Sequence, residues 1–225
     1  MSRTVLATAS ALACALAGPA LAADGWSGNV TVASQYISKG IGKSAGDPHA
    51  SLRLEHGLGP LYGGAWWGNV KTTQGADSEL HLYLGRKQTL ADVGLDAQAI
   101  YKTLPGSRPG VQNGHLELRT DASKSVGPSA FRLRVEYSPD SYAAVKQAWW
   151  IEGQVSRKLS DKLSALAAIG AREQHGGADY TAWNAGVRYA ATKQIAVEAR
   201  WYDTDSHHLS PNHTGRFVAS LVRTF

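Results

Sequence analysis

Gly215-Arg216-Phe217-Val218-Ala219-Ser220-Leu221-Val222-Arg223-Thr224-Phe225 closes the chain. Phe217, Ala219, Leu221 and Phe225 share one parity, with Arg223 as the exception, and Arg216, Val218, Ser220, Val222 and Thr224 take the other. Alternation with period two marks a strand, because successive side chains leave a pleated backbone on opposite sides. A strand with one apolar side can finish a soluble β-sandwich or close a barrel. The rest of the chain must choose between them.

The N-terminus bears on the compartment. The chain opens Met1-Ser2-Arg3-Thr4, is largely apolar from Val5 to Ala17, breaks at Gly18-Pro19 and then offers Ala20-Leu21-Ala22. A basic start, an apolar core of about a dozen residues and an A-x-A site predict a secretory signal peptide over 1–22, with 23–225 as the exported domain. The segment is too short for a transmembrane helix, which needs ~20 apolar residues. Cys14, the only cysteine, lies inside it and lacks the leucine-led surroundings of a lipoprotein cysteine. The mature chain would then have no disulfide and no thiolate metal site. No cofactor is expected. The formal net charge of +5 is spread without a basic block, which leaves nucleic-acid binding unsupported. Seven Trp and nine Tyr stand against three Phe, a balance that suits membrane interfaces.

Twelve alternating segments follow, near 26–37, 48–57, 61–70, 78–86, 92–102, 114–122, 129–138, 147–157, 163–172, 180–190, 194–203 and 215–225. Each is roughly nine to twelve residues, the length of a tilted strand that crosses a bilayer, whereas soluble strands average about five or six. Odd-numbered links such as Ser38–Asp47, Thr103–Asn113 and Thr204–Thr214 are long, and even-numbered links such as Gly57–Pro60 and Ala191–Lys193 are tight. Long loops on one side and short turns on the other fit a membrane barrel. Ala122–Pro128 is longer than that rule expects. Aromatics are expected at the ends of the apolar face, as two interfacial girdles: Tyr36, Tyr62, Tyr101, Phe131, Tyr137, Trp149, Tyr189, Trp201, Phe217 and Phe225. The fold class is therefore all-β, a transmembrane antiparallel up-and-down barrel of about twelve strands.

Two resemblances sharpen this. The last strand, ending on Phe225, resembles the closing strand of bacterial outer-membrane barrels, which pairs with the first and is read by the barrel-assembly machinery. Phe217 and Phe225 would carry that signal. Ser34-Gln35-Tyr36-Ile37-Ser38-Lys39-Gly40-Ile41-Gly42-Lys43-Ser44-Ala45-Gly46-Asp47-Pro48, with Leu61-Tyr62-Gly63-Gly64-Ala65-Trp66-Trp67-Gly68-Asn69-Val70, resembles the TorF-type porin family. That family has a Ser-x-Tyr…Arg-Gly-Ile…Ser…Gly-x-Pro loop and a Tyr-Ala-Gly…Trp…Asn-Val strand. Here Lys39 stands where arginine is expected, which keeps the charge but loses the fork geometry. The match is good over about residues 26–70 and is one of spacing beyond. It implies an outer-membrane location, lipid and the assembly machinery as partners, and a channel, but no particular solute.

Function should then lie on the inward face. Its acidic candidates are Glu55, Glu79, Asp96, Glu117, Asp121, Glu136, Glu152 and Glu198, and its basic ones Arg53, Lys102, Arg119, Arg132, Arg134, Arg172, Arg188 and Arg200. Arg132 and Arg134 would lie between Glu117 and Glu152, and Arg188 and Glu198 would be diagonal partners across a tight turn. Arg53, Glu55, Glu117, Arg119, Arg132, Arg134, Glu136, Glu152, Arg188, Glu198 and Arg200 would line a pore for small polar or charged solutes. If such charges pair across the interior instead, the barrel is closed and its loops bind a partner. A third reading takes His207-His208-Leu209-Ser210-Pro211-Asn212-His213. Its His208 and Ser210 resemble loosely the His-x-Ser-Asn motif of lipid A deacylases, although Pro211 interrupts the match and the segment reads as a loop. A metal on His207, His208 and His213 would lack the fixed spacing of a preorganised site.

Overall fold

The computed structural model describes residues 24–142 and 145–225; the expected signal peptide lies outside the described residues. Twelve long strands build the wall: β1 (Gly25–Ala33), β4 (His49–Leu58), β5 (Leu61–Asn69), β6 (Ser78–Leu90), β7 (Val93–Thr103), β8 (Gly114–Val126), β9 (Ser129–Ser138), β10 (Ala148–Lys158), β11 (Leu163–Gln174), β12 (Tyr180–Ala190), β13 (Ile195–Thr204) and β14 (Arg216–Thr224). They form a closed antiparallel barrel in the order β1-β14-β13-β12-β11-β10-β9-β8-β7-β6-β5-β4. Two short strands, β2 (Ile37–Ser38) and β3 (Ile41–Gly42), make a separate hairpin in the first loop.

Closure is made by the stretch quoted first. β14 pairs with β13 on one side and with β1 on the other, in the register Asn29↔Thr224 through Ala33↔Ser220. Gly28 and Phe225 exchange both backbone hydrogen bonds at 3.0 Å, sealing the seam one residue beyond β14. The Phe225 ring lies over Gly28, where a Cβ would come within 2.7 Å of it. A side chain at position 28 would therefore dislodge the ring.

The outer surface is that of a membrane-spanning barrel. Leu52, Leu54, Leu82, Leu84, Leu116, Leu118, Leu133, Ile151, Ile169 and Leu221 are all exposed, although no soluble sheet would leave such a band in water. Trp26, Phe131, Tyr189 and Phe225 stand outward near the short-turn end, and Trp67, Tyr101, Trp149, Trp183, Trp201 and Phe217 near the loop end. The expectation fails for Tyr36 and Tyr62. Tyr62 is buried on the inner face and Tyr36 belongs to the first loop, where it stacks on His49 at 4.5 Å. Trp66 and Trp67 explain the error over Tyr62, since adjacent aromatics leave the parity of β5 undecided until Trp67 is seen outside.

Three of the short connections are tighter than the sequence suggests, whereas Ala191–Gln194 is one residue longer than the expected Ala191–Lys193. Gly59-Pro60, Ala91-Asp92 and Gly127-Pro128 are two-residue connections, and Leu159–Lys162 and Ala191–Gln194 have four residues each. The long link expected at Ala122–Pro128 does not exist, because β8 continues to Val126 through polar residues that project beyond the apolar band. β6 is extended to Leu90 in the same way, and β1 stops at Ala33 rather than 37 because the chain turns inward there.

Arg223 is exposed with outward parity, opposite Ile195 and Val30. Near the interface its side chain can reach headgroups, at about 0–1 kcal/mol rather than the ~2–4 of mid-membrane. Arg223→Tyr should therefore retain the heat-dependent gel mobility shift of a folded barrel in detergent. Deletion of Phe225, which removes the seam bonds to Gly28, should abolish it.

Candidate channel lumen

All eleven residues proposed to line the interior face inward, and so do Glu79, Asp96, Asp121, Lys102 and Arg172. Their partners follow from strand register. Arg119 stands opposite Glu136 and donates from Nε at 2.7 Å. Arg134 stands opposite Asp121 on one side and Glu152 on the other, and grips Asp121 with two bonds of 2.7 and 2.6 Å. Arg132 reaches Glu152 at 2.7 Å and also bonds Gln154. Arg188 and Glu198 are directly opposed rather than diagonal, because the four-residue turn puts them in register, and Arg200 holds the same carboxylate at 2.9 Å. The carboxylate placed beside Arg134 is Asp121 and not Glu117, since Glu117 lies two inward steps nearer the loop end.

A second arc occupies β4 to β7. Glu55 accepts from Arg53 at 2.8 Å and from Lys87 at 3.2 Å, with the Tyr83 hydroxyl at 3.3 Å. Lys87 stands over the Tyr62 ring at 4.2 Å, while the Tyr62 hydroxyl donates to Asp96 and accepts from Gln98. Lys87, Tyr62 and Tyr83 were not among the candidates. These pairs join neighbouring or next-nearest strands and therefore run along the wall.

One element crosses the interior. The first loop, between β1 and β4, folds into the barrel with the β2–β3 hairpin at its tip. Lys39 and Gly40 form the two-residue turn, with φ of 52° and 80°. Positive φ at both central positions matches a type I′ hairpin, which favours glycine. At Gly40 no other residue fits, since a Cβ would come within 2.1 Å of the Ala182 Cβ on β12. The Tyr180 hydroxyl donates to the Lys39 carbonyl at 3.0 Å, and Ile41 packs on Trp150, Tyr180 and Ala182. Lys39 Nζ then reaches Glu117 at 2.5 Å on β8 and Glu136 at 2.6 Å on β9, across the barrel from β1. Lys102 and Arg119 complete the cluster, holding Glu117 at 2.7 and 3.4 Å. Glu117 and Glu136 are only 1% and 2% exposed, while the Lys39 and Arg119 side chains keep 15% and 17% of their surface open.

The histidine loop is arranged differently from the enzymatic alternative. Ser210 bonds His213 at 2.9 Å and not His208, because the turn Pro211–His213 folds His213 back onto the serine. Asp203 serves a different histidine, His207, at 2.6 Å. Burial, with Lys43, Arg216 and His208, holds His213 below the usual imidazole range. Serine, histidine and acid are therefore split between two pairs, and a three-residue relay is not assembled. Among the described residues, no group of three or more His, Cys, Asp or Glu side chains is placed to hold a metal ion.

A model of a bacterial protein family of unknown function, Gcw_chp, matches residues 18–223. No curated protein matches by sequence. Among solved structures, the chain is similar to the KdgM porin, with a TM-score of 0.59 and 7% identity over 88% of this chain and 99% of that one. The NanC porin gives 0.60 and 9% over 88% and 98%. The COG4313 outer membrane channel from Pseudomonas putida F1 gives 0.58 and 14% over 92% and 98%. At such identities the likeness is one of fold, and the fold is that of outer-membrane porins and channels.

Gly40→Val should expel the hairpin by collision with Ala182. In the folded barrel Lys39 and Lys43 should then become cleavable by trypsin, whereas the unaltered loop should resist it. Equal resistance would mean that the loop is not held by this contact.

Proposed function

The chain belongs to the Gcw_chp family, and we propose that it is an outer-membrane channel for passive diffusion of small polar or charged solutes, narrowed by its first loop. The observation that carries this reading is the course of the charged pairs. Each arc of wall charges runs along one strand or between nearby strands, so the wall's own pairs line the interior, and Lys39 of the first loop is the charge that reaches across it. Opposed arginine and glutamate arcs set up a transverse field through which a hydrated ion or zwitterion can pass. The eleven lining residues supply that field, and Lys39 with its carboxylates sets the narrowest level. The resemblance of residues 26–70 to the TorF-type porins adds support. The loop end is placed outside the cell and the short turns in the periplasm, after export on a signal peptide over 1–22 and insertion by the barrel-assembly machinery. Surrounding lipid meets the apolar band and aromatic girdles.

A second reading has its own observation. The buried Lys39, Glu117 and Glu136 cluster is a lock between loop and wall, and a lock that never opens would make this a closed structural barrel. Planar-bilayer recording separates the two. The folded protein should give stepwise conductance. Lys39→Ala, which frees the hairpin, should raise it by roughly twofold or more. Arg132→Ala with Arg134→Ala leaves Glu152 and Asp121 without their main cations and should shift selectivity toward potassium. Absence of current from correctly folded protein, in both the unaltered chain and Lys39→Ala, would overturn the channel reading.

A further inference from the structure

The charges inside the barrel lie at two levels. Arg53, Lys87, Arg132, Arg134, Arg188 and Arg200 sit two to five residues from the short-turn ends of their strands. The cluster gripped by the first loop is nearer the other end. Lys102 and Glu117 are nine residues from the short-turn ends of β7 and β8, and Arg119 and Glu136 are seven from those of β8 and β9. Lys39, at the tip of the loop, pairs with the upper level.

The lower ring is not neutral. Its six cations share it with five carboxylates, Glu55, Asp96, Asp121, Glu152 and Glu198. Glu55 serves both Arg53 and Lys87, and Glu198 serves both Arg188 and Arg200. Exposure widens the imbalance. The Arg53 and Lys87 side chains keep 27% and 25% of their surface open, against 14% for Glu55. Arg134 and Arg132 are likewise more open than Asp121 and Glu152. The Glu198 triad departs from this, its carboxylate being slightly more open than Arg200 and clearly more so than Arg188. Elsewhere in the ring the longer cationic side chain extends past its partner, so water meets the cation first.

We propose that this ring selects small anions, including solutes that carry a carboxylate or phosphate group, while the first loop limits their size. Rings of arginine and lysine choose anions in a pore, and a low-dielectric wall focuses their field on the solute. The loop contributes little to that choice. Lys39 is matched by Glu117 and Glu136, and its withdrawal leaves Lys102 and Arg119 beside those two carboxylates, a balanced set. The inference rests on the channel reading and adds to it a solute class and the level at which that class is chosen.

The test is the reversal potential of the full barrel in a planar bilayer under a potassium chloride gradient, with folding of every variant checked by gel mobility. The unaltered protein should prefer chloride. Arg53→Gln with Lys87→Gln leaves Glu55 uncompensated and should lower the chloride-to-potassium permeability ratio by roughly threefold or more. Glu55→Gln with Glu198→Gln keeps all six cations and should raise it, which tests the ring even if the first pair does not fold. Gly40→Val should raise conductance and keep the chloride preference. Loss of that preference in Gly40→Val would assign selectivity to the loop and overturn the proposal, as would a potassium preference in the unaltered protein. Current without anion preference would remove this inference and leave the channel. Absence of current would remove both.

Discussion

The structure depends on one constraint: in hydrocarbon every backbone N–H and C=O must find a partner within the protein. An open sheet cannot meet it, because two edges stay unpaired. Here the last edge is removed where β14 meets β1, and the reciprocal bonds between Gly28 and Phe225 carry the pairing past the end of the strand. The rest is a consequence. Closure fixes which parity of each strand faces lipid, and that parity collects the charges inside. Once inside, those charges cannot be hydrated by bulk water on every side, so register must supply partners. Pairs such as Arg134 with Asp121 and Arg188 with Glu198 are therefore cross-strand neighbours in the backbone ladder.

The inserted loop is a second solution to the same problem. A closed barrel of this size encloses more space than its inward side chains fill at the loop end, where small residues such as Ala148, Ala182 and Ser138 occur. The hairpin occupies part of that space, and Ala182 is small enough to admit Gly40. Burying Lys39 without partners would be prohibitive, but two carboxylates meet it at 2.5 and 2.6 Å. Glu117 and Glu136 in turn have Lys102 and Arg119 as standing cations. The two carboxylates therefore do not depend on the loop alone for their counter-charges.

The barrel itself was legible in the sequence because its signals are repeated: twelve alternating segments, aromatic ends and tight turns alternate with long loops. Even the inward charges could be assigned, since parity alone places Glu117, Arg119, Arg134 and Glu198. What parity leaves out is height. It did not say that Arg188 and Glu198 would be opposed rather than diagonal, because that depends on whether the turn has two residues or four. It misplaced Tyr62, whose strand carries glycines and two adjacent tryptophans in place of a clean alternation. The split of Asp203 to His207 and Ser210 to His213 was also beyond pattern, being set by two single turns of 3-10 helix.

The inserted loop is the most instructive omission, because its residues were singled out for another reason. Lys39-Gly40-Ile41 carried the family resemblance, yet nothing in the spacing said that it lies inside. One signal was available. Ile37-Ser38 and Ile41-Gly42 flank a two-residue turn with glycine second, a hairpin pattern within a segment too short and too polar to be another wall strand. A hairpin at the mouth of a barrel must either stand in solvent or turn inward. Ile37 and Ile41 disfavour solvent, and a lysine at the tip needs an acid. The buried carboxylates Glu117 on β8 and Glu136 on β9 lie opposite β1. Taken together, the apolar flanks, the tip charge and the facing carboxylates make insertion the arrangement in which each group finds its partner.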